Sequence, residues 1–212
     1  NAKSAVKQSA TYPTTGVQKG VAILVEFSNN SFTLDEPRQK FDDQLNKIGY
    51  NDFGATGSVK DYFMASSMGQ FVPEFDVFGP VKLSQPYSYY GGDNTMTTDA
   101  NAPEMIIEAC SLLDGQIDFT QYDRDGDGAI DNVYVFYAGY GQADGGEAST
   151  VWPHSWDIRD AGRTFYFDGV QLGHYACSSE LRDGRGQSIS GIGVFCHEFT
   201  HVLGFPDLYA TQ

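Results

Sequence analysis

The 212 residues contain only three cysteines, Cys110, Cys177 and Cys196. A small, odd set cannot build a disulfide framework. At most one bridge is possible, with Cys110 and Cys177 as one pair to consider, and the count leaves the redox compartment open. Basic residues are also scarce: 13 Lys and Arg stand against 28 Asp and Glu, a formal net charge of −15. Phosphate contacts need Lys and Arg, so this balance argues against nucleic acid as a partner. It argues equally against docking on an anionic membrane surface. Divalent cations are the natural complement of such a chain. No stretch nears the roughly 20 apolar residues of a membrane span. The longest, residues 21–27, is short and carries Glu26. No signal sequence is visible either; Asn1 opens a polar stretch that reads as a mature start. Disorder is excluded by the 41% hydrophobic and 14% aromatic content.

What is present alternates strand and helix signals. Residues 20–27 form a β-branched apolar run, the pattern of a buried central strand. Residues 1–19 read as a polar lead-in. Asp35 and Pro37 predict a helix start, with Phe41, Leu45 and Ile48 on one face. Ser58 predicts the cap of a second helix ending near Gly69. Residues 71–83 read as two short strands split by prolines, and 87–101 as a loop. A third helix is expected from Pro103 to Leu113, with Ile106, Cys110 and Leu113 inward. A second buried strand is expected over 132–137, then a flexible glycine-rich stretch over 139–150. Short strands with turns at Asp168-Gly169 and Asp183-Gly184 follow, and a last helix covers about 190–203. The whole predicts one α+β domain over 20–212, a mixed sheet with helices packed on it.

The most informative segment is His197-Glu-Phe-Thr-His201-Val-Leu-Gly204-Phe-Pro-Asp207. On a helix, residues four apart lie about 40° from each other around the axis, so both imidazoles share one face. Two such rings can bind one Zn²⁺. Glu198 flanks them, where a general base for a metal-activated water belongs. Only four histidines occur in the chain, and a random sequence of this composition would show the His-Glu-x-x-His pattern roughly 0.003 times. The alternative, two unpaired histidines on an otherwise apolar helix, would be costly to bury. No Glu follows His201, which excludes a third ligand from a downstream helix Glu. A second arrangement ends the helix at a glycine and folds back; Gly204 stands at that point. Asp207 then falls six residues after His201, as a third zinc ligand or as a turn residue.

Residues 197–207 resemble the extended motif of the metzincin-type zinc peptidases, in the variant with Asp as third ligand. Phe205-Pro-Asp-Leu-Tyr209 resembles the immune inhibitor A family of secreted bacterial metallopeptidases. Further similar segments are Gly57-Ser-Val-Lys-Asp-Tyr62, Ser67-Met-Gly-Gln-Phe71, Tyr122-Asp-Arg-Asp-Gly-Asp127 and Trp152-Pro-His154. The resemblance implies an upper subdomain with a twisted sheet, a backing helix and the zinc helix beneath a horizontal cleft. It also implies His197, His201 and Asp207 as ligands, Glu198 as base and an extracellular setting. The Met-containing turn of such enzymes does not appear before Gln212. The lower half of the cleft is therefore expected outside these residues, either truncated or carried on a separate polypeptide.

Asp123, Asp125, Asp127 and Asp131 occupy positions 1, 3, 5 and 9 of a calcium-loop pattern, with Gly128 at position 6 and the Ala129 carbonyl at position 7. Position 12 is Tyr134, not Glu; Glu26, Asp118 or water are the candidates for the missing ligand. The alternative is a solvated acidic turn. Cys196, next to His197, points about 100° away from it and reads as a core residue. His154 either orients substrate or bonds to backbone. The sequence thus predicts a zinc endopeptidase acting on an extended protein or peptide substrate, laid on a sheet edge around 170–177. The rival reading is a calcium-stabilised adhesion or ligand-binding module with a non-catalytic zinc.

Overall fold

In a computed structural model of the chain, residues 12–93, 99–182 and 188–206 are described. The central strand β1 (Gly16–Glu26) pairs in parallel with β2 (Phe71–Lys82) on one side and β3 (Val133–Tyr140) on the other. β3 pairs in parallel with β7 (His174–Leu181), and β4 (His154–Asp157) closes the sheet antiparallel to β7. The order is β2-β1-β3-β7-β4. A small hairpin of β5 (Tyr166–Phe167) and β6 (Val170–Gln171) stands apart. The mixed sheet agrees with the expectation; it is mainly parallel because helices carry the chain back between β1, β2 and β3.

Both faces of β1 are covered, as its apolar run requires. Val21, Ile23 and Val25 face α4 (Ala102–Leu113), where Ile106, Cys110 and Leu113 point inward as predicted. Ala22 and Leu24 face the other layer, built by α1 (Pro37–Asn46), α2 (Val59–Ser66) and α5 (Ile192–Val202). Ser58 caps α2 by accepting from the Asp61 amide, and the Asp61 carboxylate accepts in return from the Ser58 amide.

Four local readings change. α1 stops at Asn46, so Ile48 lies beyond its buried stripe and is exposed; Glu36, not Asp35, holds the cap position. Residues 71–82 form one strand, because β2 is an edge strand and its prolines break no ladder on the open side. A short helix, α3 (Tyr87–Tyr90), sits inside the expected loop and buries Tyr90 against Phe27. The lead-in is part of the fold from Tyr12 onward: β1 starts at Gly16, and Tyr12 is buried edge-on against Phe71 and Phe199. The Asp168-Gly169 turn is present, both residues with positive φ as a two-residue hairpin loop needs. Asp183-Gly184 lies outside the described residues.

Candidate metal centre

Helix α5 is anchored by one aromatic stripe. Phe195 stacks against Tyr134 and Phe136 beneath the sheet, and Phe199 packs on Tyr12, Phe63 and Phe75. Burying these rings fixes the helix's rotation and turns the His197–His201 pair outward. Their ring centroids are 4.8 Å apart at 82°. One ligand atom from each of His197, Glu198 and His201 falls within 4.8 Å of the others. Glu198 is buried while His197 is exposed, so the trio spans the helix surface from core to solvent.

The helix ends as the sequence predicts. Gly204 adopts φ 90°, which a side chain would resist. That turn brings the Phe205 carbonyl to 2.8 Å from His201 Nδ1. A carbonyl only accepts, so Nδ1 carries the proton and Nε2 keeps its lone pair for a metal. Asp207 lies outside the described residues.

All three cysteines are free and buried. Burial pushes the Cys196 thiol up to about 12, far from a thiolate nucleophile. His154 packs with Tyr175 and Cys177 on the α4 side of the sheet, away from α5. Its Nδ1 lies 2.6 Å from the Trp152 carbonyl and its Nε2 2.8 Å from the Tyr175 hydroxyl. Of its two predicted roles, the structure shows the bond to backbone.

The acidic loop gathers Asp123, Asp125 and Asp131, with one carboxylate oxygen of each within 4.8 Å of the others. Asp127 stands outside that group and accepts from the Ala129 amide. Asp131 is 3% exposed; Oδ2 accepts from the Arg124 amide, and Oδ1 is buried with no hydrogen-bond partner. Burial, then the charges of Asp125, Asp123 and Asp127, push Asp131 up to about 7 against the pull of the Arg124 amide. An orphaned carboxylate oxygen facing two others is an arrangement a cation would relieve. The candidate extra ligands are used elsewhere. Glu26 accepts from the Phe32 amide, and Asp118 caps the turn Phe119–Tyr122.

The sheet edge also moves. β7 lies between β3 and β4, so 170–177 cannot supply the open edge. Among the described residues β4 is the outermost strand on that side, and α5 touches both β7 and β4. Sequence reasoning missed Glu180, which is fully buried and accepts from Thr33, Leu34 and Gly139. This carboxylate ties the loop after β1 to the end of β3. Its signal was a lone charge inside an apolar strand.

The profile of the immune inhibitor A peptidase M6 catalytic domain matches residues 8–212. Pre-pro-metalloprotease PrtV of Vibrio cholerae is 28% identical over 233 residues, covering 92% of this chain and 25% of PrtV. Immune inhibitor A of Bacillus thuringiensis subsp. alesti is 25% identical over 254 residues, covering 99% of this chain and 36% of that protein. The chain thus spans about a quarter to a third of the length of these curated relatives.

Proposed function

The chain belongs to the immune inhibitor A family of peptidase M6 catalytic domains, and from that premise we propose that it is a zinc-dependent endopeptidase. The observation that carries the proposal is the convergence of His197, Glu198 and His201, with His201 held as the Nδ1–H tautomer that leaves the Nε2 lone pair for a metal. Two imidazoles from successive turns suit zinc. His197 and His201 would hold the ion, with Asp207 as third ligand. Bound zinc supplies Lewis acidity to the scissile carbonyl and acidifies the attacking water.

Glu198 takes the proton from that water and passes it to the leaving amine nitrogen. Its buried position beside the exposed His197 puts the base at the wall of the cleft rather than in bulk solvent. The substrate lies extended along β4, the outermost strand on that side of the sheet among the described residues and one that α5 touches. The metzincin-like arrangement follows, with α5 as active-site helix under a twisted sheet. The rest of the cleft is placed in polypeptide outside these residues, which the greater length of the relatives supports.

Asp123, Asp125 and Asp131 are proposed to hold a structural Ca²⁺, with Asp127 and the Ala129 carbonyl as further donors of the loop. Its support is the buried, unpartnered Asp131 oxygen. Such a cation fits a secreted protein, and among the described residues no helix is long and apolar enough to cross a membrane.

Glu198→Gln is expected to retain zinc by elemental analysis and to lose casein cleavage by about 10²–10⁴-fold, the usual contribution of a general base. Full turnover in that variant refutes the assignment of the base. Zinc bound by a wild-type protein that cleaves nothing would instead favour a binding module.

A further inference from the structure

We infer that the β5–β6 hairpin is the fixed wall against which the acidic loop sets its Ala129 carbonyl, so that hairpin order and calcium affinity rise and fall together. The inference rests on the calcium reading above and adds positioning residues to it.

The loop's own pattern leaves its exit unsupported. Position 12 is Tyr134, and the chain runs on into β3 instead of a helix. The first positions are held locally: Asp123 accepts from the Gly126 and Gly128 amides, and Asp125 accepts from the Asp127 amide. Past Gly128 the support comes from a segment remote in sequence. Gln171 of β6 donates its amide to the Gly128 carbonyl at 2.8 Å, and its own carbonyl accepts from the Ile130 amide at 2.8 Å. Ala129 and Gln171 thereby form a parallel bridge. The bracketed residue of such a bridge directs its own N–H and C=O away from the partner strand. The Ala129 N–H goes to Asp127 Oδ1 at 2.9 Å. In extended backbone the C=O of a residue leaves on the same side as its N–H. The Ala129 carbonyl is therefore turned towards the loop and away from the hairpin.

The hairpin serves as a wall because it is itself pinned. Phe167, Val170 and Leu172 are buried in the core. Phe167 lies against Phe119, with ring centroids 5.1 Å apart. The turn residue Asp168 accepts from the Phe119 amide at 2.9 Å. Phe119 opens the turn Phe119–Tyr122, whose Tyr122 carbonyl accepts from the Asp131 amide at 2.9 Å. A closed circuit results, from hairpin to turn, from turn to Asp131, and through the loop to Ala129 and back to the hairpin. Asp131, with its buried and unpartnered Oδ1, and Ala129 are thus held by one frame. A cation that draws on both oxygens stabilises the frame. A frame already formed spares the cation the cost of ordering the loop exit.

The test leaves every loop residue untouched. Gly169 has φ 88°, and no atom lies within 4 Å of where its Cβ would stand, so Gly169→Val strains the hairpin turn without a clash. Asp168→Gly keeps the positive φ of that residue and removes the acceptor of the Phe119 amide. Calcium is titrated calorimetrically into the dialysed full chain. Gly169→Val is expected to weaken calcium binding about tenfold, the low end of what losing an outer partner of a metal ligand costs. Asp168→Gly should weaken it less, and it carries the test if Gly169→Val does not fold. Coupling is reciprocal, so calcium should slow hydrogen exchange at the Gln171 and Ile130 amides of the wild type. A hairpin with a merely structural role would lower Tm equally with and without calcium and leave the affinity in place. Wild-type affinity in the folded variants, or exchange at those two amides that calcium does not change, overturns the inference and leaves the calcium reading intact. A wild type that takes up no calcium overturns the calcium reading, and the inference with it.

Discussion

At the scale of single residues, the decisive contact at the proposed zinc site is the one between His201 and the Phe205 carbonyl. It exists because Gly204 turns the chain with a positive φ. Gly204→Val should cost about 1–3 kcal/mol of stability through backbone strain and should misplace the Phe205 carbonyl. Zinc affinity is then expected to fall by about 10–100-fold, the usual cost of losing an outer partner of a ligating His. Titration with a zinc-sensitive dye checks it, and unchanged affinity would show that His201 needs no such partner. Asp131 presents a different single-residue problem. A carboxylate raised to about 7 and left half unpaired weakens a cation-free protein and suits a cation-loaded one. The spacing of the aspartates showed which residues crowd together. It could not show that Asp127 turns to its own loop, or that Asp131 alone is deeply buried, because burial depends on chain segments remote in sequence.

At the scale of elements, α5 and β4 contrast. α5 was legible from the spacing of His197 and His201 on an otherwise apolar stretch and from its glycine stop, both local signals. β4 was not, since four residues with an exposed tryptophan carry little periodic information. Its place as the outermost strand on that side follows only from β7 pairing with β3. The junction of β4 and β7 should also sense pH. His174 sits below its ordinary value of 6.5, chiefly because burial disfavours the charged ring. Asp157, Asp160 and Asp127 favour its protonation, and Arg159 opposes it. The folded state thus binds the proton less readily than the unfolded chain. Its contribution is complete above pH 6.5 and shrinks as pH falls from there towards the folded-state value. Urea unfolding at pH 7.5 and pH 5 should therefore show a loss on acidification that is smaller in His174→Gln. An equal loss in both proteins would place the pH sensitivity elsewhere.

At the scale of the whole molecule, a net charge of −15 makes cation binding a matter of stability as well as chemistry. Calcium at about 100 times its dissociation constant should add about 2.7 kcal/mol. For a chain of this size that corresponds to about 5–10 °C in Tm. Asp131→Asn removes the buried charge, so it should melt above the wild type in chelator and below it in calcium. Calorimetry under the two conditions tests the crossing, and a variant less stable in both would argue for a purely structural Asp131.

The gathering of His197, Glu198 and His201 and that of the acidic loop were determined by sequence alone, because each lies within one short segment whose spacing is enforced by helix or turn geometry. The family was legible for the same reason. The tertiary structure decided what depends on pairing between distant segments. It made β4 the outermost strand on its side, turned His154 to the opposite face from α5, spent Glu26 and Asp118 on backbone amides, and brought Asp157, Arg159 and His174 into one network. Strand order and the face a side chain occupies are set by which hydrophobic surfaces meet when the chain collapses, and local spacing holds no record of that meeting.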